Sequence, residues 1–218
     1  MSPARVFGQA GDDFVRAFHA VRADGGSGDD HLMIWTGSVS TLMGGPGNDL
    51  LEITTNSDRT RVLNGGSGRD TLLGSGTPDH LIGGDGNDFI DALGGDDSIV
   101  GGRGSDSILA GDGNDTVIAG TGHDTVLAGT GDDSVNGNGG DDSINGESGI
   151  DTLNGGAQDD TLIGGSGADV LRGGPGHDRL LGHAGNDSLF GEAGDDTLFG
   201  NAGDDFLAVG SGNNQATQ

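Results

Sequence analysis

Between Gly65 and Ala208 an aliphatic residue returns at every ninth position without a slip: Leu72, Leu81, Ile90, Ile99, Ile108, Val117, Val126, Val135, Ile144, Leu153, Leu162, Leu171, Leu180, Leu189, Leu198 and Leu207. Ser or Thr usually precedes it, as at Thr71, Ser98, Ser107, Thr116, Thr125, Ser134, Ser143 and Thr152, and glycine and aspartate fill most of the interval. One residue facing inward between two facing outward is the alternation of a strand, so each unit predicts a short strand of three residues. Two such units make one turn of a coil, and the expected class is all-β.

Counting from Gly65 as position one, the unit reads GGxGxDxUx, intact in Gly83 to Asp91, Gly101 to Leu109, Gly164 to Arg172 and Gly173 to Leu181. The sixth position is always aspartate: Asp70, Asp79, Asp88, Asp97, Asp106, Asp115, Asp124, Asp133, Asp142, Asp151, Asp160, Asp169, Asp178, Asp187, Asp196 and Asp205. Glycine can take positive φ and turn tightly with its carbonyls inward, which makes a cup of oxygens. Aspartate suits that cup because its short side chain keeps the carboxylate near the turn; only Glu52, Glu147 and Glu192 of the 35 acidic residues are glutamate. Oxygen-only ligands select a hard cation, and a flexible set of roughly six to eight suits Ca²⁺ better than Mg²⁺.

The N-terminal third is less regular. Clear units start at Gly8, Gly25, Gly44 and Gly65, separated by 17, 19 and 21 residues, while Ala17 to Asp24, Ile34 to Met43 and Ile53 to Asn64 lack the glycine-rich loop. If each spacing is one turn, the good loops stack on one edge, and the second edge begins at about Gly74. Asp13, Asp30 and Asp49 then join the candidate ligands.

These residues resemble the RTX family, the haemolysin-type calcium-binding repeats, continuously from Gly65 to Ala208 and at Gly8 to Arg16, Gly25 to Met33 and Gly44 to Glu52. The resemblance implies a right-handed parallel β-roll with two nonapeptides per turn. It implies several Ca²⁺ ions between successive turns along each edge, held by the nineteen aspartates named and by backbone carbonyls. The expected organisation is irregular turns over 1–64, a regular roll of sixteen nonapeptides over 65–208 and a polar tail over 209–218. Thr77 and Gln158 replace the fourth-position glycine and Pro78 precedes Asp79, so these two loops are expected to turn differently.

The resemblance also implies an extracellular or cell-surface location and a type I exporter as partner, because the family is usually exported through an uncleaved segment beyond the repeats. The chain runs ten residues past Ala208, so either that signal is absent or the chain is part of something longer. The start lacks the apolar stretch of a cleaved signal, and no run approaches the roughly 18 apolar residues of a membrane span. Without cysteine there is neither disulfide nor thiol chemistry.

A net charge of −26, with nine arginines and no lysine, excludes nucleic acid and anionic membrane surfaces as partners. High charge with few apolar residues is also the signature of disorder, so the coil is expected to need cations to hold. Without HExxH, GxSxG or a phosphate loop, an enzyme is not expected. His123 and His177 occupy a variable fifth position, and third positions present no repeated threonine rank that would suit ice. Ninth positions should point outward yet are often apolar, at Leu73, Ile82, Val100, Leu109, Ile118, Leu127, Ile163, Leu181, Phe190 and Phe199, with Asn136, Asn145 and Asn154 between. Two docking surfaces separated by a polar band are one reading of that pattern. Three roles remain: a module that folds on extracellular calcium, the repeat domain of a larger exported protease, lipase or toxin, and a calcium-stiffened spacer of an adhesin or surface layer.

Overall fold

A computed structural model describes residues 5–18, 22–34, 40–54 and 60–218. Their 24 strands form two sheets of twelve, in which odd-numbered strands pair with odd and even with even, all in parallel. The chain therefore climbs as a β-solenoid, a β-roll in which one unit enters each sheet per turn. Over the regular part the register step is 18 residues, as in Ser98↔Thr116, Ile99↔Val117 and Val100↔Ile118. Among the described residues no helix is long and apolar enough to cross a membrane.

The N-terminal spacings of 17, 19 and 21 are absorbed without loss of register. Phe14 pairs with His31, His31 with Leu50 and Leu50 with Thr71, so the units from Gly8, Gly25, Gly44 and Gly65 feed one sheet. Of the stretches that lack the glycine-rich loop, residues 19–21, 35–39 and 55–59 lie outside the described residues. At the other end, Gln215–Thr217 pairs with Thr197–Phe199, so the residues read from sequence as a tail carry the last strand of the second sheet.

Most strands are twice the expected length. Thr161–Ser166 runs from position seven through position three of the next unit, and only positions four to six turn. Leu162 and Gly164 both face the core, so the first-position residue is a strand residue and not a turn residue. What it needs is small size: a Cβ on Gly164 would lie 2.5 Å from the Asp169 Oδ2 and 3.0 Å from the Gly182 carbonyl oxygen. Alanine meets that need at Ala92, Ala110, Ala119 and Ala128, each fully buried.

Positive φ is confined to other positions. Gly165 and Gly167, at positions two and four, have φ of 114° and 141°. At position two the same conformation is taken by Leu93, Asn138, Glu147, His183, Glu192 and Asn201, at about 1–2 kcal/mol each against glycine. Gln158 corrects an expectation drawn from sequence, because it adopts φ 84° and turns its loop as glycine does elsewhere. The eighth-position residues from Leu72 to Leu198 form one buried row, continued below by Leu63, Leu51, Leu42, Leu32 and Ala23. Each Leu, Ile or Val of the row contributes about 1.5–3 kcal/mol by leaving water.

Candidate metal centre

The roll brings all nineteen sequence-predicted aspartates into two columns, one on each edge. Asp13, Asp30, Asp49, Asp70, Asp88, Asp106, Asp124, Asp142, Asp160, Asp178 and Asp196 precede strands of one sheet; Asp79, Asp97, Asp115, Asp133, Asp151, Asp169, Asp187 and Asp205 precede strands of the other. Within each column the backbone N–H of one aspartate donates to the Oδ1 of the next, for example Asp88 to Asp106 at 2.8 Å and Asp133 to Asp151 at 2.9 Å. The loop following Gln158 keeps this pattern, with the Asp160 N–H donating to Asp178 Oδ1 at 2.9 Å. The strand geometry therefore fixes each carboxylate by one oxygen.

The other oxygen is left over. Oδ2 of Asp30, Asp49, Asp70, Asp88, Asp97, Asp106, Asp115, Asp124, Asp133, Asp142, Asp151, Asp160, Asp169, Asp178, Asp187, Asp196 and Asp205 is buried and has no hydrogen-bond partner. A buried acceptor without a donor costs about 1–3 kcal/mol, more when charged. What lies beside it is more oxygen: a Cβ on Gly83 would be 2.5 Å from Asp88 Oδ2 and 2.6 Å from the Gly101 carbonyl oxygen on the next turn. Carboxylate and carbonyl oxygens of consecutive turns thus converge on one small volume, an arrangement that a cation relieves. Among the described residues no cluster of three or more His, Cys, Asp or Glu side chains could hold a metal by itself. Ligands beyond one carboxylate per turn would be backbone carbonyls or water, a donor set suited to a hard cation and not to zinc or copper.

Burial, together with neighbouring carboxylates, raises the pKa of aspartates in both columns. Asp97 is pushed up to about 8, Asp70, Asp106, Asp133 and Asp160 to about 7, and Asp49, Asp142, Asp169 and Asp178 to about 6, while the backbone donor to each pulls the other way. A carboxyl whose pKa is higher folded than unfolded favours folding when protonated. That contribution is fully present below the unfolded value near 4 and is lost as pH rises towards 8. The metal-free chain should therefore gain strand structure as pH falls from about 8 to about 5. Far-UV circular dichroism in metal-stripped buffer measures this, and strand content that is flat or grows with pH contradicts it.

The loop before Asp79 departs from the others, as Thr77 and Pro78 led us to expect. Neither Ser75 nor Thr77 takes positive φ. Ser75 is buried, and its hydroxyl donates to Asp79 Oδ2 at 2.8 Å, so here Oδ1 is the oxygen without a partner.

A second ladder escaped the sequence reading. Fifth-position side chains accept the backbone N–H of the fifth residue one turn on: Asn48 donates to Asp29 at 2.8 Å, Ser105 to Asn87 at 2.9 Å and Asp141 to His123 Nδ1 at 2.8 Å. It runs against the sixth-position ladder, in which the later residue is the acceptor. His123 and His177 are therefore acceptors in this ladder and not idle occupants, with His177 Nδ1 taking the Asp195 N–H at 3.0 Å. The signal was present in sequence, since acceptors fill the fifth position at Asn87, Asp96, Ser105, Asn114, His123, Asp132, Asp141, Asp159, His177, Asn186, Asp195 and Asp204. The apolar ninth positions are mostly half-buried; the Arg172 guanidinium lies 4.3 Å from the Phe190 ring centre, and that of Arg179 4.7 Å from Phe199. Asn154 donates to Asn136 at 3.2 Å within the polar band.

Fold and site together define a parallel β-solenoid whose edges are lined by paired carboxylate and carbonyl oxygens. The family model of the RTX calcium-binding nonapeptide repeat, four copies long, matches residues 64–99, 92–126, 118–153, 145–180, 154–189 and 181–216. These matches run without a break over more than half of the 218 residues, and the chain belongs to the RTX calcium-binding nonapeptide repeat family. No individual curated protein matches it.

Proposed function

We propose that the chain binds Ca²⁺ ions in file along both edges, between successive loops, and that it orders when it meets calcium outside the cell. The observation that carries the reading is the buried, partnerless Oδ2 repeated on seventeen aspartates. Asp13 and Asp79 complete the ligand set of nineteen at the lower ends of the two columns. When bound, each ion supplies the charge that neutralises facing carboxylates; the chain's own part is to aim one Oδ2 per loop, with first-position carbonyls opposite. Export before folding, through a type I exporter, fits a chain that needs extracellular calcium to order. The repeated Ser and Thr on the seventh positions line outer sheet faces, and we infer binding rather than catalysis for this segment.

Eleven stacked aspartates enclose ten gaps and eight enclose seven, so about seventeen ions is the ceiling for one ion per gap. Native mass spectrometry at saturating calcium should find a count near that ceiling, reduced by frayed ends. One or two ions only would defeat the between-turn reading.

A further inference from the structure

The second column of carboxylates does not begin with an aspartate. Val62 pairs with His80, which places Arg61 one turn below Asp79, in the slot that Asp fills on every turn above. The backbone follows the same rule as elsewhere: the His80 N–H donates to the Arg61 carbonyl at 2.7 Å, as the Phe89 N–H does to that of Asp70. Yet the side chain in that slot is a guanidinium, 2% exposed, the largest fully buried side chain among the described residues. Arginine keeps its proton under all ordinary conditions, so this is a permanent cation inside the edge. A buried charge persists only where opposite charge and hydrogen bonds face it.

Burial opposes both this guanidinium and the carboxylate of Asp79 one turn above, and against it the Arg61 and Asp79 charges each favour the ionised form of the other. The Ser75 hydroxyl satisfies Asp79 Oδ2, the oxygen left open on every other turn of this column. The altered loop of Ser75, Thr77 and Pro78 and the buried arginine thus act on the same carboxylate.

We propose that Arg61 stands where an ion would otherwise be needed, so that its guanidinium, with the Ser75 hydroxyl, closes the lower end of the second edge without metal. This rests on the calcium reading for the gaps above Asp79 and goes beyond it in assigning the first gap to a side chain. The second edge then starts on a charge that the chain carries itself, available before any calcium arrives, and the file of ions begins between Asp79 and Asp97.

Amide hydrogen exchange on the full chain in saturating calcium tests this, comparing the native protein with Arg61→Met and Arg61→Lys. The Thr125 N–H, which donates to the Asp106 carbonyl at 2.9 Å far up the coil, serves as reference. Removing one partner of a buried pair strands the other, so Arg61→Met should speed exchange at His80 by at least about tenfold and leave Thr125 unchanged. Arg61→Lys keeps the charge and should stay within about threefold of native. If Met and Lys behave alike at His80, both fast or both slow, charge is not what Arg61 contributes and the proposal fails. It fails also if Arg61→Met speeds Thr125 as much as His80. Calcium binding itself is read separately: Thr125 protection in the native chain that persists in chelator removes the calcium reading, while the Met–Lys difference at His80 still reports on the pair.

Discussion

Chelating calcium should convert the chain from β-rich to largely disordered at neutral pH, with the reverse transition centred at about 10⁻⁴ to 10⁻³ M added calcium, the range of extracellular modules. Three quantities decide this. The core is one row of aliphatic side chains, one per half-turn, which leaves each residue of the roll with little apolar area to bury. Against it stand a net charge of −26 and two columns in which ionised carboxylates repeat at one strand spacing, about 4.8 Å. Seventeen of those carboxylates also carry a buried oxygen with no donor. At neutral pH the metal-free roll sets against these terms its aliphatic row, the partial protonation of carboxyls pushed up to about 7 or 8 and, at the foot of one column, the buried guanidinium of Arg61, and the expected balance is still unfavourable. Far-UV circular dichroism over a calcium titration measures the switch; a β-rich spectrum unchanged in chelator overturns it.

What the sequence made legible follows from where the period is strict. Leu162 and Asp160 could be placed, one in the core and one on an edge, because the nine-residue spacing never slips and a side chain's face is fixed by its position in the unit. Strand length was not legible, because Gly164 and Gly165 look alike in sequence while the first is an inward strand residue chosen for size and the second a residue of positive φ. The alanines at positions 92, 110, 119 and 128 carry that distinction, since alanine satisfies size and not φ. Gln158 misled in the other direction: surrounding ladders impose φ 84° on it, a local preference overruled by neighbours. The last half-turn was missed because Asn214 and Ala216 stand where Asp and an aliphatic residue mark every earlier unit, although Asp196 N–H donates to Asn214 Oδ1 at 2.6 Å as it would to aspartate. Arg61 was invisible for a related reason, as it lies in the interval whose spacing is 21 and only the strand register reveals which slot it fills.

Replacing Asp124 by alanine should disturb the calcium-dependent transition far more than replacing Asp13. Asp124 is 1% exposed; its Oδ1 accepts the Asp106 N–H at 2.8 Å, its own N–H donates to Asp142 Oδ1 at 2.8 Å, and its Oδ2 has no partner. Alanine there strands the Asp106 donor and withdraws a ligand oxygen from the middle of the longer column, a loss of about 3–5 kcal/mol by analogy with breaking a buried ion pair. Asp13 lies on the first described turn of that column, and its Oδ2 already accepts the Gln9 N–H at 2.8 Å in an exposed setting. Alanine at 13 therefore costs about 1 kcal/mol and touches one terminal ion at most. In a solenoid each turn is held by its neighbours, so a central lesion uncouples two halves while a terminal one frays a single turn. A transition shared by about seventeen ions spreads a few kcal/mol over all of them, so the midpoint for Asp124→Ala should rise only about 1.5- to 2-fold. The slope should fall more visibly, as the halves on either side of the lesion order at different calcium levels. Circular dichroism titrations of both variants read midpoint and slope together. Equal effects would remove the stacked two-edge arrangement, and a larger effect at Asp13 would mean that the coil nucleates from its N-terminal turns and that coupling along the column starts there.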